Sequence, residues 1–118
     1  MQNEIFIASL VPASRNATTN GVSVDRSNAK SVDLVVHVGA IVDGTHSIVL
    51  QGSDDGATWA DVPAGDQVGS FTATLAANTT QRVSYIGPRQ YLRARLVVTG
   101  ATTGATVCAV LALADLRK

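Results

Sequence analysis

Cysteine occurs once, at Cys108, so this chain cannot close an internal disulfide and must hold its fold by packing. In "ATVCAVLALA" that cysteine reads as a small buried hydrophobe. Aromatics are scarce: one Trp, two Tyr and two Phe leave little material for the exposed rings that sugar sites use. Charged residues make up 15% of the chain, below the ~25% usual for soluble domains, and nine basic against nine acidic residues give a formal net charge of zero. A neutral chain lacks the long-range field of a duplex-binding protein, so nucleic acid is not expected as a partner. No run approaches the ~20 consecutive apolar residues of a membrane-spanning helix, and no membrane partner is expected. Glu4 stands where an export signal carries positive charge, and no such signal is visible. Without secretion, the acceptor patterns at Asn16 and Asn78 are chance matches in a Thr-rich chain.

Chemistry is equally thin. Glutamate appears only at Glu4, so paired carboxylates for glycoside hydrolysis would have to come from turn aspartates. No Gly-x-Ser-x-Gly elbow or cysteine-nucleophile signature is present, and the glycines stand singly in turns instead of forming a phosphate-cradling loop. His37 and His46 have no second nitrogen or sulfur ligand at zinc spacing, and Asp54, Asp55 and Asp61 lack calcium-loop spacing. The expectation is a protein that is not an enzyme and uses no cofactor or metal.

What the chain does have is alternation. Val32, Leu34, Val36 and Val38 repeat every second residue, and Leu92, Ala94, Leu96 and Val98 do so opposite Tyr91, Arg93 and Arg95, the period of strands with one buried face. Val22 and Val24 flank Ser23 in the same way, and "HSIVLQGS", "GSFTATLA" and "TQRVSYIG" read as further strands. In the last run Val107, Ala109, Leu111 and Leu113 share one side while Cys108, Val110 and Ala112 make the other apolar too, so both faces should be covered, either inside a sandwich or by another subunit. Turn signals punctuate these runs at Asn20-Gly21, Asp43-Gly44, Asp55-Gly56, Gly65-Asp66, Asn78, Gly87-Pro88 and Gly100 through Gly104, the last read as a Thr-rich hairpin loop. That spacing favours one all-β sandwich or barrel. "VPASRNATTNG" lacks clear alternation and reads as an irregular arm or loosely paired edge after a first strand at Ile5 to Leu10.

Two clusters stand out as sites. "SDDGATW" places Ser53, Asp55, Gly56 and Trp59 in a hairpin whose Asp-Gly supplies the turn conformation; its letters approach the Asp-box of sialidases with the wrong spacing, and it resembles more closely a run found in discoidin-like sandwiches. A structural turn is the expected role. "RVSYIGPRQYLRARL" gathers Arg82, Tyr85, Arg89, Tyr91, Arg93 and Arg95, residue types enriched at protein interfaces. Pairing of these arginines with Asp33, Asp43 or Asp61 is one competing reading, and stacking on single-stranded nucleic acid, against which the zero net charge argues, is the other.

Taken together, the stretch from about Ser31 to Asp115 resembles a family of small tailed-bacteriophage virion structural proteins. The pieces are the Val-rich strand ending Val38-Gly39 with Asp-Gly-Thr-His after it, the Ser53 to Trp59 hairpin, Tyr85-Ile86-Gly87, Tyr91-Leu92-Arg93 and Val-Thr-Gly-Ala-Thr-Thr-Gly. The resemblance implies a head decoration (cement) protein on the virion surface, made in the host cytoplasm, with the major capsid protein as partner and homo-oligomers, trimers among them, as a packing mode. The expected fold is a single all-β domain, an antiparallel, jelly-roll-like β-sandwich over residues 31–118 with an N-terminal strand and irregular arm over residues 1–30. A carbohydrate-binding sandwich module and a tail or connector component are the alternatives.

Overall fold

The computed structural model describes residues 4–26 and 29–116. Among the described residues ten strands form two antiparallel sheets: β1 (Glu4–Arg15), β2 (Thr19–Asn20), β3 (Val24–Asp25), β4 (Ala29–Ile41), β5 (Thr45–Ser53), β6 (Ala60–Asp61), β7 (Gln67–Val68), β8 (Thr79–Tyr85), β9 (Tyr91–Thr99) and β10 (Ala105–Leu116). The first sheet runs β1-β10-β4-β8-β7 and the second β2-β9-β5-β6, with β3 also on β9. This order, in which the chain passes repeatedly from one sheet to the other, is that of a jelly roll built from two Greek keys. The shortest dimension, 22 Å, is that of two layers about 10 Å apart with their outer side chains.

The alternation read from the sequence sets the faces. Val32, Leu34, Val36 and Val38 of β4 and Val107, Ala109, Leu111 and Leu113 of β10 point inward against Ile48 and Leu50 of β5 and Leu92, Ala94 and Leu96 of β9. These side chains are aliphatic, so the layers interlock through branched methyl groups; among the described residues Tyr85 brings a ring into the buried cluster and Phe71 packs against it. Val98 packs against that cluster from its edge.

Several expectations need correction. Of the two readings of "VPASRNATTNG", its first part is the loosely paired edge rather than an arm: β1 is a twelve-residue edge strand on β10 that runs on to Arg15, with register shifts between Ala8 and Leu10 and between Leu10 and Ala13. Pro12 falls within the second shift, where a missing N–H does not interrupt a ladder. Ser9, the residue passed over at the first shift, is buried and ties the sheets together. Its Oγ donates to Val22 O at 2.9 Å and accepts from Ala94 N–H at 3.0 Å. Val22 itself is exposed and outside any strand. "GSFTATLA" is a loop rather than a strand: Leu75 enters the core and its N–H donates to His46 O, while Gly69 and Asn78 take positive φ and break the extended run at both ends. Gly100 to Gly104 connects β9 to β10 across the two sheets and is therefore not a hairpin loop.

Candidate functional site

The Ser53 to Trp59 segment is a hairpin loop between β5 and β6, which pair through Gln51 with Asp61 and Gly52 with Ala60. Ser53 Oγ accepts from the N–H of Asp55 and of Gly56, and Asp55 Oδ1 accepts from Ala57 N–H at 2.8 Å, Thr58 N–H at 2.9 Å and Ser53 Oγ at 2.9 Å. Gly56 takes φ +77°, which its lack of a Cβ permits. The loop is thus built around one carboxylate. The N–H groups of Thr58 and Ala57, then the Ser53 hydroxyl, lower the Asp55 pKa from 3.8 to about 2.

Asp43 does the same for the β9–β10 loop: the N–H groups of Gly104, Thr102 and Thr103 converge on its carboxylate and lower its pKa, Gly104 contributing most. Both folded pKa values lie below the unfolded ones, so the stabilisation is complete above the unfolded value near 3.8 and disappears as pH falls through the folded value. Denaturant unfolding followed from neutral pH to about pH 2 should show stability falling over the acid end of that window, and Asp55→Ala should remove part of the fall. An unchanged pH slope in Asp55→Ala would show that the carboxylate does not organise the loop.

The six residues of the Arg/Tyr cluster do not form one patch. Tyr85 is buried at 4% exposure on the inner face of β8, where its OH accepts Arg89 N–H at 2.8 Å, so it is not part of the outer surface the arginines occupy. Arg82, three residues before it, is exposed on the outer face of the first sheet. Arg89 lies in the β8–β9 turn and forms an ion pair with Asp54. Tyr91, Arg93 and Arg95 alone share a surface, the outer face of β9 in the second sheet. The expected pairing of the arginines with Asp33, Asp43 and Asp61 is not made: Asp33 accepts from Ser84 Oγ, Asp43 holds the β9–β10 loop and Asp61 accepts from Gln51 Nε2.

On this outer face the Trp59 ring returns over β9, with the Arg93 guanidinium 4.3 Å from its centroid. Arg93 Nε donates to Gln51 Oε1 at 2.9 Å, and Gln51 Nε2 donates onward to Asp61 at 3.0 Å. Burial, and then the neighbouring Arg95 charge, lowers the Arg93 pKa. The sequence signal for Gln51 was available, since it stands two residues before Ser53 and shares its face. Arg26 was missed: its side chain donates to Arg89 O at 2.5 Å and Gly87 O at 2.8 Å and sits 5.2 Å from the Tyr85 ring centroid, fixing the β8–β9 turn.

Beside this face is a cavity of about 300 Å³ lined by Gly52, Asp61, Val62, Asp66, Tyr85 and Arg89, among others. Tyr85 is the one aromatic in its wall, so a sugar ring would find no broad stacking platform there. Among the described residues no three His, Cys, Asp or Glu side chains come together in a way that could hold a metal ion. His37 Nδ1 lies 2.8 Å from Thr80 Oγ1. His46 is fully buried, with Nε2 3.0 Å from Asp43 O; a carbonyl can only accept, so Nε2 carries the proton. Cys108 is half-buried on the outer face of the first sheet, opposite His37, instead of in the core.

The molecule is therefore a jelly-roll sandwich whose second sheet presents a basic, aromatic-backed outer face. No protein-family model and no curated protein matches the chain. Solved structures do match. The SPBc2 prophage-derived protein YomS superposes with a TM-score of 0.66 at 9% identity, over 98% of this chain and 96% of that one. A chain in the structure of infectious bursal disease virus Gx strain gives a TM-score of 0.51 at 13% identity. The match covers 97% of the present chain but only 33% of the viral one. A Bacillus endospore appendage protein, from a family of disulfide-linked pili, gives 0.49 at 14% identity over 96% and 86% of the two chains. At these identities the likeness is one of fold.

Proposed function

We propose that this chain is a bacteriophage virion structural protein of the head decoration type, which binds the assembled capsid surface and stabilises it without performing chemistry. The observation that carries this reading is the near end-to-end superposition on a prophage-derived protein, 98% of one chain on 96% of the other. The resemblance of Ser31 to Asp115 to tailed-phage structural proteins supports it independently. A rigid two-layer plate with organised loops suits the task, because identical copies on a repeating lattice raise one another's effective concentration and each contact can be weak. The partner is the major capsid protein, and the apolar outer side of β10 suits lateral packing between copies, in a trimer for example.

Counting the chain by quantitative mass spectrometry in purified virions of the phage that encodes it tests the reading. Hundreds of copies per particle are expected. Tens or fewer would move the protein to the tail or connector, and its absence from virions would overturn the proposal.

A further inference from the structure

Arg93 and Arg95 stand two residues apart on the outer face of β9, so their side chains leave the same side of the sheet roughly 7 Å apart. Both are half-buried, and among the described residues neither has a carboxylate within ion-pair distance. Arg93 is held in place by Gln51 below and Trp59 beside it. No hydrogen-bond acceptor for the Arg95 side chain is found among the described residues, and its Nε is shielded from water without one. Partly dehydrated guanidinium groups lying side by side repel each other, so an arrangement that fixes them together is completed by anionic groups from outside.

We infer that the Arg93–Arg95 shelf is a docking surface for a different protein that presents a pair of surface carboxylates. Guanidinium groups recognise carboxylates through two parallel N–H···O bonds, which a fixed pair can make with register as well as charge. A second copy of this chain is a poor donor of those carboxylates. Among the carboxylates whose side chains are described, Asp25, Asp33, Asp43, Asp54, Asp55 and Asp61 already accept hydrogen bonds within their own chain, which leaves Asp66, half-buried in the cavity wall, as one carboxylate rather than a pair. A nucleic-acid strand is a poor occupant too, since Arg93 covers a face of the Trp59 ring on which a base would stack and the chain carries no net charge. The inference deepens the proposed function by naming the face that meets the shell, and it rests on that reading only for the identity of the partner.

The test uses the full chain, isotopically labelled, titrated with an oligoglutamate peptide at low salt and, separately, with oligothymidylate. Oligoglutamate should shift the Trp59 indole N–H and the Arg93 and Arg95 Nε–H signals, and added salt should weaken it. Arg95→Gln, which removes no hydrogen bond found in the described fold, should lower the affinity several-fold. Arg93→Gln with Arg95→Gln should lower it about tenfold or more, with the double lysine variant between them. Arg82→Gln, on the other sheet, should change nothing. Shifts centred elsewhere, equal loss in Arg82→Gln, or tighter binding of oligothymidylate at the same residues would overturn the inference, as would self-association that Arg95→Gln abolishes. A parallel arm measures binding to purified shells lacking the protein. If the arginine variants bind shells as well as the unaltered chain, the docking face is wrong and the decoration reading stands; if the unaltered chain binds no shell, the decoration reading fails and the peptide titration still decides the face.

Discussion

Gly104→Ala is expected to prevent folding or to cost more than about 4 kcal/mol, a large part of the roughly 5–15 kcal/mol that holds a domain together. Gly104 ends the loop that carries the chain from β9 to β10. It takes φ +88°, and a Cβ built on it would lie 1.8 Å from Arg15 O, 2.5 Å from Arg15 C and 2.9 Å from Asn16 Cα. Those are backbone atoms, so no side-chain rotation relieves the clash. The two sides are also fixed independently. Arg15 pairs with Ala105 at the end of the β1–β10 ladder, while Gly104 donates to Asp43 Oδ1 and accepts from Val42 N–H. Gly100→Ala is the control in the same loop. With φ +68° and no heavy atom within 4 Å of its Cβ, it should cost only the left-handed backbone penalty of roughly 1–2 kcal/mol. Denaturant unfolding of both variants checks the ranking, and a Gly104→Ala protein as stable as Gly100→Ala would mean that β1 does not approach this loop in solution.

How far these features were legible depends on whether they follow from local alternation. The inner faces of β4, β9 and β10 follow from a period of two, and so does the grouping of Tyr91, Arg93 and Arg95, which are all odd-numbered on one strand. The same parity separates Arg82 from Tyr85: three residues apart on β8, they must face opposite ways, so grouping them with Arg93 on residue type alone ignored the strand geometry. The hairpin was legible because Ser53, Asp55 and Gly56 carry their hydrogen bonds within a few residues. The return of Trp59 over Arg93 was not, since it depends on β5 and β9 being neighbours, a pairing between segments some forty residues apart in sequence. "GSFTATLA" failed for the same reason, because what removes it from a sheet is Leu75 finding the core and the His46 carbonyl rather than anything in its own alternation.

The two outer faces differ in kind. The first sheet exposes Phe6 and Val68 at its margins and places Val35, Cys108, Val110 and Ala112 half-buried between them, whereas the second carries Gln51, Trp59, Arg93 and Arg95. A plate of this kind can meet two different neighbours, one through apolar contact and one through charge. That division separates the energetics of β10 from its outer surroundings and makes the strand itself a probe.

Leu111→Ala should lower stability by about 2–5 kcal/mol, the range for truncating a fully buried leucine in a core that cannot close the gap. Leu111 has no exposed surface, and across the ladder it is flanked by Ile7 on β1 and Leu34 on β4. Strands on both sides hold the backbone in register, so the cavity should stay largely open. Val110, the next residue back, faces outward between Ala8 and Val35, and in a monomer Val110→Thr should change stability by no more than about 0.5 kcal/mol. The two variants together, measured at several protein concentrations, separate the core from the outer face. A loss in Val110→Thr that grows as protein is concentrated would mean that a second copy covers the first sheet, whereas a Leu111→Ala protein of undiminished stability would contradict the assignment of β10 to the centre of the sandwich.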